Sequence, residues 1–133
     1  MLHLLLVEDN PSDVLLIREA LRRCPVPADV VIAYDGHQAL TALGKFRPDL
    51  IVLDLSLPRL SGFDVLKAFK NESGIPIAVF TGSDNPADRT AALELGAREY
   101  LIKPNSFDGY MNAICEILQR WWPEQATTAS TQG

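Results

Sequence analysis

The chain has 133 residues, which fits one domain. Its hydrophobic share of 47% lies in the normal globular range and excludes disorder for the bulk of the chain. A net charge of -5 argues against nucleic acid as a direct partner, because phosphate backbones select basic surfaces.

The first predicted strand covers residues 3–8, where the run from Leu4 to Val7 ends in Glu8 and Asp9. It begins almost at Met1, with no basic segment and apolar core ahead of it, so no signal peptide is expected. No apolar stretch approaches the ~20 residues a bilayer span needs, and the expected location is cytoplasmic. A helix follows over 12–23, with Leu15, Leu16, Ala20 and Leu21 on one side, closed by Pro25 and Pro27. The second strand covers 29–33, and Asp35-Gly36 opens a helix carrying Ala39, Leu40 and Leu43. Pro48 precedes a strand over 50–54 whose apolar run ends in Asp54. Pro58 and Gly62 shape the loop into a third helix with Phe63, Val65, Leu66 and Phe69. After Gly74 and Pro76 comes a strand over 77–81, ending in Thr81. Asp84-Asn85-Pro86 is a cap with proline at a first helical position, and that helix stops near Gly96. The last strand, 99–103, ends in Lys103, and the last helix runs over 106–122 to Pro123. Residues 1–122 form the predicted domain, and the Thr/Ser/Gln/Ala-rich tail 123–133 is expected to be disordered.

Short apolar runs of this kind read as strands buried on both faces of a parallel sheet. Alternation with amphipathic helices gives an α/β class, and right-handed crossovers favour a flavodoxin-like (βα)5 three-layer sandwich in the order 2-1-3-4-5. Ligands in such sheets sit outside the carboxyl ends of the strands. Glu8, Asp9, Asp54, Thr81 and Lys103 should therefore converge. Clustered carboxylates repel unless a cation intervenes, and magnesium takes oxygen ligands in an octahedron. Asp54 is placed to ligate through one oxygen and attack phosphorus with the other. Asp9 and Glu8 are further ligands, and the backbone carbonyl of Ser56 completes the shell. Lys103 can balance charge at Asp54, Thr81 can donate to phosphoryl oxygens, and Gly82 leaves room for a donor.

These motifs resemble the receiver domain of two-component response regulators over about residues 2 to 122. Glu8-Asp9 resembles its acidic pair, Asp54 its phosphoacceptor, Thr81 its switch hydroxyl, Lys103-Pro104 its lysine-proline and Tyr100 its switch aromatic. The stretch from Asp54 to Pro58, with Gly62, resembles the loop after the phosphoacceptor. The resemblance implies a magnesium-dependent phosphoryl acceptor fed by a phosphohistidine on a sensor histidine kinase. It implies a phosphoprotein with at most weak autophosphatase activity rather than an enzyme. Phosphorylation would draw Thr81 inward, turn Tyr100 inward behind it, and alter the face of helix 4, strand 5 and helix 5. It also implies a cis Lys103–Pro104 bond, and a tuning role for Ser56 and Ser83. With no second domain expected after Trp122, the output would be a partner contact in a phosphorelay. The opening residues 5 to 13 and the tryptophan-ended last helix resemble single-domain regulators paired with bacterial phytochromes. Two other readings fit less well. A haloacid-dehalogenase-type hydrolase needs a second Asp where Ser56 stands, and a nucleotide or flavin carrier needs a Gly-rich loop.

The last helix carries a wide apolar arc. Phe107, Met111, Ile114, Leu118 and Trp121 make a core stripe, Tyr110 and Ile117 extend it to one side, and Cys115 and Trp122 to the other. An arc wider than a surface helix needs predicts a homodimer seam over Tyr110, Met111, Ile114, Ile117, Leu118 and Trp121. Cys24 and Cys115 lack metal-ligand spacing and are expected to be buried free thiols in a reducing compartment.

Overall fold

The computed structural model describes residues 1–58, 60–69 and 74–122; the predicted tail lies outside them. In chain order the elements are β1 (Leu2–Val7), α1 (Pro11–Arg23), β2 (Ala28–Ala33), α2 (Gly36–Leu43), β3 (Leu50–Leu53), α3 (Gly62–Phe69), β4 (Ile77–Thr81), α4 (Pro86–Glu94), β5 (Glu99–Ile102) and α5 (Phe107–Trp121). The strands form one parallel sheet in the order β2-β1-β3-β4-β5, as a doubly wound chain requires. Among the described residues no helix is long and apolar enough to cross a membrane.

Side chains alternate across the pleat, so each central strand feeds two cores. Leu4, Leu6, Leu50, Val52, Ala78 and Phe80 pack on one face with Ile17 and Ala20 of α1 and with α5. Leu5, Val7, Ile51, Leu53, Val79 and Tyr100 pack on the other with Ala39, Val65, Leu66, Phe69 and Ala92 of α2, α3 and α4. Each buried aliphatic side chain contributes about 1.5–3 kcal/mol. All of β3 and β4 is buried, whereas the edge strand β2 alternates half-buried and exposed positions.

Helix starts follow local chemistry. Asn10 accepts from the amides of Ser12 and Asp13, Asp35 from Gln38, Asn85 from Ala87 and Ser106 from Gly109. Each satisfies donors that the first turn leaves orphaned. Gly96 ends the chain's fourth helical segment at φ 108, a left-handed conformation that glycine adopts without steric cost.

Several expectations are corrected. Helix α1 turns Val14, Ile17 and Ala20 inward, and Leu15 is 68% exposed, because the helix rests on the sheet and on α5 together. Helix α5 lies against both the sheet and α1, so its wide apolar arc is consumed within the chain. Tyr110, Met111, Ile114, Ile117 and Leu118 are all buried, Trp121 is half-buried, and Phe107 is exposed. Five of the six residues expected at a homodimer seam are thus intramolecular core. Cys24 and Cys115 are not free thiols: α1 ends beside α5, their Cα atoms lie 5.4 Å apart, and they form a disulfide. The Lys103–Pro104 bond is trans, the lower-energy form for X–Pro bonds.

Candidate functional site

Register decides which residues meet at the carboxyl edge. Val7 pairs with Leu53, which sets Glu8 beside Asp54 just past the strand ends. Leu53 pairs with Val79, and Thr81 with Ile102, which brings Thr81 and Lys103 to the same edge. Strands β1, β3 and β5 each stop one residue before their predicted ends at 8, 54 and 103, where the apolar runs themselves end, so Glu8, Asp54 and Lys103 stand at the mouths of loops. Gly62 permits the β3–α3 loop to return closely. A Cβ there would lie 2.5 Å from the Leu55 Cα and 2.7 Å from the Asp54 carbonyl oxygen. The Gly62 amide donates to the Leu55 carbonyl at 3.0 Å.

The resulting crevice has a volume of about 610 Å³ and is lined by Asp9, Asn10, Pro11, Asp13, Asp54, Ser56, Gly82 and Lys103. One carboxylate oxygen from each of Glu8, Asp9 and Asp54 lies within 4.8 Å of the others. Glu8 and Asp54 are buried at 1% and 6% exposure, while Asp9 faces the solvent side. The Lys103 ammonium donates to Glu8 Oε1 at 2.8 Å, Asp13 Oδ2 at 3.0 Å and Asp54 Oδ2 at 3.1 Å. The second Glu8 oxygen accepts from the Asn10 amide at 3.2 Å, and the second Asp54 oxygen from the Ser56 amide at 3.2 Å. Hard oxygen donors converging with excess negative charge suit a hard divalent cation. Such an ion would compete with Lys103 for the same carboxylates.

Burial raises the Glu8 carboxyl to about 7, and the neighbouring Asp54 charge adds to the shift against the opposing pull of Lys103. Burial also works to deprotonate Lys103, but the Glu8 hydrogen bond and the charges of Asp54 and Glu8 prevail and hold its ammonium above the usual range. The Tyr110 phenol is pushed up by burial and by its hydrogen bond to Asp13, so it stays a donor.

Thr81 is fully buried, and its hydroxyl oxygen has no hydrogen-bond partner among the described residues. An orphaned hydroxyl at this edge is a donor awaiting an acceptor. Tyr100 is buried, and its hydroxyl donates to the Ser83 carbonyl at 2.9 Å. The ring therefore already points inward in the unmodified chain. Ser83 in turn donates to Asp88 at 2.6 Å.

All the strand-end residues picked from the sequence meet here. Asp13 was missed. It lies in the first turn of α1, which starts beside the cluster, and nothing local in the sequence tells it from a solvent-facing first-turn acid. The sequence places Tyr110 on the margin of the last helix's apolar arc; in the structure its hydroxyl donates to Asp13 Oδ1 at 2.7 Å.

Comparison with known proteins agrees with this geometry. The family described as response regulator receiver domain matches residues 4–115. A probable transcriptional regulator, ycf27 of Cyanophora paradoxa, is 37% identical over 97% of this chain and 54% of its own length. The chain spans about half the length of the curated relatives it matches. Among solved structures, the phosphorylated cyanobacterial phytochrome response regulator RcpA superposes with a TM-score of 0.86 at 33% identity, covering 92% of this chain and 95% of that one. The Mn(2+)-bound form of response regulator Rcp1 gives 0.84 at 32% identity, covering 92% and 96%.

Proposed function

The chain belongs to the response regulator receiver domain family, and from that premise we propose that Asp54 is its phosphoacceptor in a two-component phosphorelay. The observation that carries this reading is the Asp54 carboxylate itself. It is buried, stands beside Glu8 and Asp9, and is contacted by an ammonium at 3.1 Å. In the proposed step an Asp54 oxygen forms a bond to phosphorus as the bond from phosphorus to a kinase histidine nitrogen breaks. Lys103 offsets the charge on the phosphoryl oxygens, and the Thr81 hydroxyl donates to one of them. Glu8, Asp9, Asp54 and the Ser56 carbonyl would hold magnesium, which would supply charge neutralisation for the transfer. The donor set of hard oxygens supports that choice, and the Mn(2+)-bound form of the similar regulator Rcp1 supports a divalent ion as ligand.

We further infer that the chain acts in the cytoplasm, with a sensor histidine kinase as phosphoryl donor. The likeness to RcpA, a phytochrome response regulator, supports a bacterial phytochrome as that kinase. Output would pass through the face of α4, β5 and α5, with Tyr100 behind Thr81. Leu93 of α4 and Ile102 of β5 are exposed apolar residues and support a homodimer through that face rather than through the buried seam of α5. Sedimentation at high concentration should reveal that dimer; a monomer with and without phosphoryl donor would remove it.

The central test mixes the protein with magnesium and acetyl phosphate. Intact mass should show one labile phosphoryl adduct, lost without metal and in Asp54→Asn. Unchanged labelling of Asp54→Asn would overturn the assignment.

A further inference from the structure

Among the carboxylates that hold Lys103, Asp13 stands apart from the cluster of Glu8, Asp9 and Asp54. An ammonium has three donors, and Lys103 directs one each to Glu8, Asp13 and Asp54. A cation on the cluster would draw on Glu8 and Asp54, and a phosphoryl group would occupy an Asp54 oxygen. Asp13, outside that cluster, is the Lys103 acceptor that neither event would claim. Its orientation is set from a different helix. Asp13 Oδ1 accepts from the Tyr110 hydroxyl at 2.7 Å while Oδ2 accepts from Lys103 at 3.0 Å. Tyr110 is 4% exposed and packs edge-on against Phe80, with ring centroids 5.1 Å apart. The carboxylate is thus gripped between α1, which carries it, and α5, which aims it.

We propose that Asp13 and Tyr110 are a positioning pair that keeps the Lys103 ammonium at Asp54 while metal and phosphoryl group occupy the cluster. The inference rests on Asp54 as phosphoacceptor. Neither residue touches the reacting atoms; both act through Lys103. Without Asp13 the ammonium loses its one permanent acceptor and samples more of the open crevice when metal binds. Without the Tyr110 hydroxyl, Asp13 gains rotameric freedom and holds Lys103 less often in line.

The test measures the initial rate of phosphoryl adduct formation from acetyl phosphate across a magnesium series, for wild type, Tyr110→Phe, Asp13→Asn and the double variant. Tyr110→Phe preserves charge and the ring packing on Phe80, which keeps the test informative even if Asp13→Asn folds poorly. Asp13→Asn is expected to slow labelling at saturating magnesium about tenfold, and Tyr110→Phe by less. The double variant should be no slower than Asp13→Asn, because the tyrosine acts only through that carboxylate. Half-saturating magnesium should be unchanged in Tyr110→Phe. Wild-type rates in both single variants overturn the proposal, as do losses that add in the double variant or that merely follow the fraction folded by circular dichroism. A wild-type chain that takes no phosphoryl group, like the Asp54→Asn control, overturns the phosphoacceptor reading first and this inference with it.

Discussion

Glu8 and Thr81 both sit in surroundings that are unfavourable to the resting chain. Glu8 has an ordinary carboxyl value of 4.5 that burial raises to about 7. A raised folded value means the native chain binds a proton more tightly than the unfolded chain does. This contribution to stability is complete below about 4.5 and is lost as pH rises through about 7. In chelator, the melting temperature of wild type relative to Glu8→Gln should therefore fall between pH 5 and pH 8. Excess magnesium should weaken that trend, since the ion requires the carboxylate. Equal slopes for the two proteins would show that Glu8 titrates normally. Thr81 presents the complementary case: its buried hydroxyl has no partner among the described residues. Thr81→Val should stabilise the unmodified protein by about 1 kcal/mol in chemical denaturation. The same change should shorten the phosphoryl lifetime or blunt the response, so a loss of resting stability would show that the hydroxyl is satisfied. The site residues at strand ends were legible because a two-faced parallel strand is a short apolar run, and its end is visible as a change of polarity. Asp13 was not, because a first-turn acid on a helix looks the same whether it faces solvent or a lysine 90 residues away.

At the scale of elements, the β3–α3 loop shows how a backbone contact fixes a chemical group. Gly62 sits where a Cβ would press on the Leu55 Cα and the Asp54 carbonyl, neither of which can yield as a side chain can. Gly62→Ala should cost about 2 kcal/mol in denaturant and slow labelling of Asp54 together. Normal stability with normal labelling would mean the loop relaxes freely. Helix positions were readable from caps and punctuation, as Asn85 ahead of Pro86 and Ser106 ahead of Phe107 illustrate. Helix faces were less so. Periodicity measures the width of an apolar arc, but not whether one surface or two consume it. Helix α5 packs on the sheet through Ile114 and also on α1, so Tyr110 and Ile117 are core while Phe107 is left under Arg23, whose guanidinium lies 5.0 Å from the ring centre.

Across the whole molecule, the Cys24–Cys115 bridge joins positions 91 residues apart. Nothing in the local sequence at either cysteine reports that proximity, which exists only once α1 and α5 lie side by side. Closing so long a loop in the unfolded chain is worth about 4–5 kcal/mol on an entropic account. Dithiothreitol should lower the melting temperature of wild type and leave Cys24→Ser unmoved; identical melts for wild type with and without reductant would mean the thiols are free. The sheet order was legible because right-handed crossovers leave few alternatives, and the site followed from it. One geometric detail reaches further. The Tyr100 hydroxyl already holds the Ser83 carbonyl at 2.9 Å in the unmodified chain. A ligand can shift an equilibrium only by its differential affinity for the two states. If the aromatic ring is in place beforehand, a phosphoryl group on the proposed acceptor Asp54 would have only the Thr81 half of the change left to drive. On the proposed phosphoacceptor role, the off state would then have a floor: unphosphorylated molecules would carry part of the output, and the range of the response would depend as much on how rarely Tyr100 lets go as on how often Asp54 takes a phosphoryl group.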